Sequence, residues 1–154
     1  MISYKDYKAI QQKKVDALPI FWAFNNSQFK EEMEKRGLKE DEYDKIYKLP
    51  TPGGFYLRKD AEVIRAYFNG TDDIKNLMKN KTFAYQAFSY EMDNHEYAIN
   101  YYQGDWDVLS CFFNCEWGDN KTYVEYLTEN NRADLIPTYE RARKAHYKRA
   151  DNWF

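Results

Sequence analysis

Cysteine, histidine and long apolar runs are all scarce in this chain of 154 residues. Two cysteines, Cys111 and Cys115, are too few to staple a secreted scaffold, and a reducing compartment suits them. No apolar run approaches the roughly 20 residues that a membrane-spanning helix needs. The opening MISYKDYKAIQQKKVDALPIF is polar and patterned as a helix, which excludes a signal peptide. These absences point to the cytoplasm and away from any membrane. Signature motifs are missing too: there is no GxSxG, no Walker loop and no dinucleotide fingerprint. His95-Glu96 starts like HExxH, but Ile99 stands where the second imidazole is required. Gly53-Gly54 leads into a strand-like segment with no helix behind it, so it reads as a turn and not a phosphate cradle.

Aromatic side chains are abundant: 15 Tyr, 10 Phe and 4 Trp make up 19% of the chain. Rings with polar tips suit half-buried positions and contact surfaces as well as a core. With 44% hydrophobic and 31% charged residues the composition is that of a folded protein. At this length a chain buries close to ~70% of its unfolded surface and folds without cross-links. The net charge of −2 excludes a globally basic nucleic-acid binder, but the charge is unevenly placed. Between Gln86 and Asn130 stand nine carboxylates (Glu91, Asp93, Glu96, Asp105, Asp107, Glu116, Asp119, Glu125 and Glu129) against Lys121 alone. From Asn131 to the end the balance reverses, to a local +3.

The hydrophobic pattern predicts an α+β fold in one domain spanning 1–154, with a small antiparallel sheet of two or three strands covered by six or seven helices. Ser3 caps a first helix that Pro19 stops, and Ile20–Phe24 reads as a buried strand. Asn26 or Ser27 caps a helix closed by Gly37. Ile46–Leu49 and Phe55–Arg58 are strands joined by the turn PTPGG. Helices follow from Asp60 (facing inward with Ala61, Ile64, Tyr67 and Phe68), from Thr71 with Asp72, from Thr82, from Asp105 through Phe113, from Asn120 and from near Asp134, with EYAINYY extended between two of them.

Five candidate chemistries emerge. All the thiols and imidazoles, His95, Cys111, Cys115 and His146, make a candidate structural Zn²⁺ set, since zinc takes tetrahedral thiolate and imidazole and C-x3-C is an allowed spacing. Against it, both cysteines lie among aromatics, and His146 falls on the stripe Leu135, Tyr139, Ala142, His146, Ala150, where core histidines are common. The same atoms serve a Cys-His nucleophile in a small hydrolase, and carboxylate pairs serve glycoside hydrolysis, though no spacing selects either. Arg141, Lys144, Lys148 and Arg149 on the last helix are the residues a DNA- or RNA-binding regulator would use, the less favoured partner. The nine carboxylates favour a basic protein partner, because arrayed acids steer a cationic surface from a distance.

Three stretches, FWAFNNSQFKEEMEKRGL, GGFYLRKDAEVIRAYF and YEMDNHEYAI, resemble a family of small uncharacterised proteins carried by Firmicutes and their phages. The likeness runs from Leu18 to Asp107 and departs after Cys111, at CFFNCEWGDN. The resemblance implies a mobile-element accessory protein in a bacterial cytoplasm. It has no activity to lend, and by analogy of size and charge such chains resemble anti-CRISPR inhibitors. The expectation is a non-enzymatic binder, with no cofactor beyond the candidate zinc, that occupies the basic nucleic-acid channel of a host defence protein such as a Cas effector.

Overall fold

The computed structural model describes residues 1–70, 73–100 and 102–153. Among them are eight α-helices and one three-stranded antiparallel sheet, so the fold is α+β with a small sheet. The chain divides into two compact units, Gln12–Thr71 and the pair of segments Met1–Gln11 with Asp72–Phe154. No helix of the described residues is long and apolar enough to cross a membrane.

Helix α1 (Tyr4–Asp16) begins where Ser3 Oγ accepts the Asp6 amide at 3.1 Å, as the capping pattern predicts. The sheet unit then runs β1 (Ile20–Trp22), α2 (Asn26–Lys35), β2 (Ile46–Lys48), β3 (Gly54–Leu57) and α3 (Ala61–Phe68). β3 is the central strand, pairing Phe55 with Phe21 of β1 and Tyr56 with Tyr47 of β2. Phe21 and Phe55 stack at 5.7 Å, and Phe29 of α2 meets Phe55 edge-on at 4.9 Å, which is how α2 covers one sheet face. The cap of α2 is Asn25, whose side chain accepts the Gln28 amide, one residue before the two candidates from the sequence. Gly37, at φ +72°, ends that helix: its amide bonds to Glu34 and that of Leu38 to Met33, the paired bonds of a Schellman motif. Gly53, at φ +80°, turns the chain into β3 with the Phe24 ring 2.4 Å from where a Cβ would stand, so only glycine fits. In α3, Ile64 is buried as expected, whereas Phe68 is 62% exposed.

The helical unit is built on α5 (Lys81–Asn94), packed against α8 (Ile136–Ala150). Phe83, Ala84, Ala87, Phe88 and Met92 of α5 are buried with Tyr139 and Ala142 of α8. Fully burying a side chain of the Phe or Met class stabilises by about 1.5–3 kcal/mol, so this pair dominates the unit. Asn80, and not Thr82, caps α5. The expected helix start at Thr71 and Asp72 lies outside the described residues; Asp73 precedes α4 (Ile74–Leu77). Of EYAINYY, Tyr101 lies outside the described residues, and Glu96–Asn100 are not extended. Glu96 takes a left-handed conformation at φ +51° and Tyr97–Ile99 form a 3-10 turn, because the strong β-formers there fold back to bury Tyr97. Helix α6 (Gly104–Leu109) stops short of both cysteines. Helix α7 (Tyr123–Glu129) starts at Thr122, which forms a capping box with Glu125; Asn120, at φ +49°, sits in the preceding loop and is not its cap. Pro137 occupies the first turn of α8, as predicted.

Candidate functional site

The helical unit carries a cleft of about 650 Å³ between α6, the loop 117–122 and α8. Its walls are aromatic: Trp106 and Trp117 meet edge-to-face at 4.6 Å, with Tyr97 and Tyr147 opposite. Asp105 lies at its floor and accepts two hydroxyls on one oxygen, from Tyr97 at 2.5 Å and from the fully buried Tyr139 at 2.7 Å. Burial, with the Asp105 charge beside them, pushes both phenols well above their ordinary pKa, so they stay donors. Arg143 spans the rings of Tyr123 and Tyr147, and its Nε is buried without a hydrogen-bond partner among the described residues. Trp117 and Tyr102, at 63% and 92% exposed, stand at the rim.

A second recess of about 290 Å³ shares Lys121 with the first. Glu116, Asp119 and Glu129 line it, with the side chains of Asn114 and Asn130. Lys121 Nζ bridges Asp119 at 2.8 Å and Glu129 at 2.9 Å, and is the one cation lining it. Three carboxylates thus line a recess with one ammonium, which Asp119 and Glu129 share.

The nine acids of the sequence therefore converge only in part. Glu116, Asp119 and Glu129 share this recess, and Glu125 stands on the same helix as Glu129, tied into its capping box. Four of the other five are engaged by side chains elsewhere in the fold. Glu91 is 2% exposed and bonded to Tyr4, Lys8 and Asn94. Asp93 pairs with His146 and Arg149, Asp105 holds the two tyrosines, and Asp107 accepts from Asn100. Glu96 is exposed, outside both recesses. Of the basic residues on α8, Arg149 is paired with Asp93 and Arg141 lies over Tyr85, leaving Lys144 and Lys148 without an ion pair among the described residues.

The four-residue zinc set does not assemble. His146 sits in the core, its Nδ1–H donating to Asp93 at 2.7 Å and its Nε2 accepting the Ala98 amide at 3.1 Å, so neither nitrogen is free to bind a metal. Cys115 belongs to the second recess, where its carbonyl accepts from Trp106. Cys111 follows α6 in a turn, so the two thiols do not share a helix face. His95 and Cys111 do meet, at 3.7 Å between Nε2 and Sγ, and Glu91 joins them; these three side chains could hold a metal ion. Sequence reasoning placed Glu91 on an acidic surface and missed it here, although Glu91 and His95 stand at i and i+4 on one helix face.

The Cys111–His95 pair has the wrong arrangement for a nucleophile. Burial first, then the Glu91 charge, push the Cys111 thiol up to about 11, whereas an activated cysteine is depressed. Glu91 also approaches the same Nε2 that faces the sulfur, so it does not orient the ring from behind as a third catalytic group would. Missing from the sequence reading were the cleft residues Tyr97, Trp106, Trp117 and Arg143; only the aromatic excess signalled them. No curated protein and no solved structure matches the chain. A model of a family of unknown function, DUF7659, matches residues 3–119, taking in all three stretches quoted above and running on through Cys111 to Asp119, and the chain belongs to that family.

Proposed function

We propose that this chain is a non-enzymatic binding protein that captures a basic partner on the acid-and-aromatic face of its helical unit. The observation that carries the reading is the convergence of Glu116, Asp119 and Glu129 on one recess with a single ammonium, Lys121, which also lines the neighbouring cleft where Trp117 stands exposed. A recess of this size and lining suits an arginine or lysine side chain. Lys121, already held between two of its carboxylates, displays the chemistry it accepts. A guanidinium entering there would meet the Glu116 carboxylate, and the exposed Trp117 ring of the adjoining cleft offers cation–π attraction to a second cation of the same partner. The face is smaller than a nine-carboxylate surface. It supports local docking with electrostatic steering and not the coating of a long channel.

The partner class follows from the resemblance to small proteins of Firmicutes and their phages: a nucleic-acid-handling host defence protein, such as a Cas effector, in a bacterial cytoplasm. On this reading the protein covers basic residues that otherwise hold nucleic acid. The test is binding to purified Cas effectors and to host lysate at ~0.1 and ~0.5 M salt, with wild type and with Glu116→Arg plus Glu129→Arg. The reading expects a complex that weakens at high salt and loses about tenfold or more in affinity on charge reversal. A complex indifferent to both refutes it. If instead the protein shifts DNA or RNA on a gel, and Arg141→Glu with Lys144→Glu abolishes the shift, the nucleic-acid-binding regulator replaces it.

A further inference from the structure

We propose that Glu91, His95 and Cys111 form a divalent-metal site, suited to Zn²⁺, with three protein ligands and a fourth position open to solvent. The inference is independent of the partner reading and concerns the opposite end of α6 from the cleft floor.

Geometry carries it. The ligand atoms of the three residues lie within 4.8 Å of one another. His95 Nε2 is 3.3 Å from Glu91 Oε2 and 3.7 Å from Cys111 Sγ. Zinc bonds of about 2.0–2.1 Å to nitrogen and oxygen and about 2.3 Å to sulfur, set at the tetrahedral angle, give edges of about 3.3 Å for N···O and about 3.6 Å for N···S. Both observed edges match. One imidazole nitrogen faces two acceptors at once; a single N–H serves one of them well, whereas a cation at the centre serves all three lone pairs.

The surroundings are those of a prepared ligand. Glu91 is 2% exposed, and its two oxygens are divided in use: Oε1 accepts the Tyr4 hydroxyl at 2.7 Å, leaving Oε2 toward His95. Asn94 steadies Oε2 at 3.2 Å. Such outer contacts fix the direction of a ligating carboxylate. Glu91 lies in the last turn of α5 and His95 caps its end, so the helix terminus presets two ligands, and the turn after α6 brings Cys111 to them. Lys8, 3.4 Å from Oε1, supplies the charge that balances the buried carboxylate from its other side. One thiolate, one imidazole and one carboxylate form a borderline donor set, which favours Zn²⁺ over Mg²⁺ or Ca²⁺. Cys111 is exposed and His95 partly so, and this leaves the remaining coordination position to water or a small anionic ligand.

The experiment uses the full chain without a histidine tag, freed of metal by chelator, and titrated with Co²⁺ as a spectroscopic probe and then Zn²⁺. The expected result is one Co²⁺ per chain with a thiolate-to-cobalt charge-transfer band, displaced by Zn²⁺. Cys111→Ser removes the band and weakens Zn²⁺ binding by more than about tenfold, a loss at least as large as outer-contact variants cause. His95→Gln weakens binding likewise while the sulfur band, where still formed, shifts. Cys115→Ser leaves both unchanged. A wild-type titration without the band, a band that survives Cys111→Ser, or one that vanishes with Cys115→Ser overturns the proposal. Both thiols lie outside regular helices, and matched circular dichroism spectra separate ligand loss from misfolding.

Discussion

Replacing Asp105 by Ala tests whether the floor of the aromatic cleft is held by one carboxylate. Asp105 Oδ1 accepts both the Tyr97 and the Tyr139 hydroxyls, and Tyr139 is wholly buried while Tyr97 is 5% exposed. Removing the acceptor takes the carboxylate from two phenolic O–H groups that are left only each other, and a buried hydroxyl without a good partner costs about 1–3 kcal/mol. The cavity left by the carboxylate opens on the cleft, so water reaches the Tyr97 side, which places the sum nearer the lower end of that range. Asp105 also stands in the first turn of α6, where its charge adds about 0.3–1 kcal/mol against the helix dipole. The expected destabilisation is about 3 kcal/mol. With a urea m-value of roughly 2 kcal/mol/M, the unfolding midpoint should fall by about 1.5 M, read by far-ultraviolet circular dichroism. The diagnostic arm is a double-mutant cycle. Tyr139→Phe alone costs about 1–1.5 kcal/mol, but in the Asp105→Ala background it removes an orphan and costs little, giving a coupling of about 1 kcal/mol. Additivity within about 0.4 kcal/mol, or a loss below about 1 kcal/mol for Asp105→Ala, refutes the account.

Two further outcomes follow from local chemistry. Thr122→Ala removes the side chain that accepts the Glu125 amide and half of a capping box, and should cost about 1 kcal/mol in equilibrium unfolding with no change in the circular dichroism of the folded state. Burial first, and then the Glu129 charge, push the Cys115 thiol up to about 11; the thiolate is thus scarce at pH 8. In a Cys111→Ser background its alkylation should be about tenfold slower than that of an unperturbed thiol, after allowing for the higher nucleophilicity of a more basic thiolate, and should keep rising through pH 10. A rate that levels off near pH 9 would contradict that environment.

What could be read from sequence was whatever one segment decides alone. Ser3 with Asp6, Gly37 after a run of helix formers, PTPGG between two apolar pairs, and Pro137 at a helix start each carry their own backbone preference, and each stands where expected. The α8 stripe from Leu135 to Ala150 was legible for the same reason; it placed His146 where core histidines are common, while the zinc set claimed the same residue, and the structure buries it with both nitrogens bonded. EYAINYY failed because tertiary burial of Tyr97 outweighed the β preference of its neighbours. The sites fail locally by construction. Glu91 is acidic by composition, yet its environment comes from Tyr4 and Lys8, more than eighty residues earlier, and from a turn sixteen beyond His95. Counting carboxylates in a window treats them as one surface, but a carboxylate also serves as the strongest acceptor available to buried hydroxyls, amides and imidazoles. In a chain with 15 tyrosines that demand is high, and Glu91 and Asp105 answer it. The same tyrosine excess that suggested a sticky surface thus draws negative charge inward. Among what remains outside is the cluster around Lys121, where three carboxylates line a recess with one cation. That surplus, and not the total charge of the segment, is what the proposed basic partner would meet.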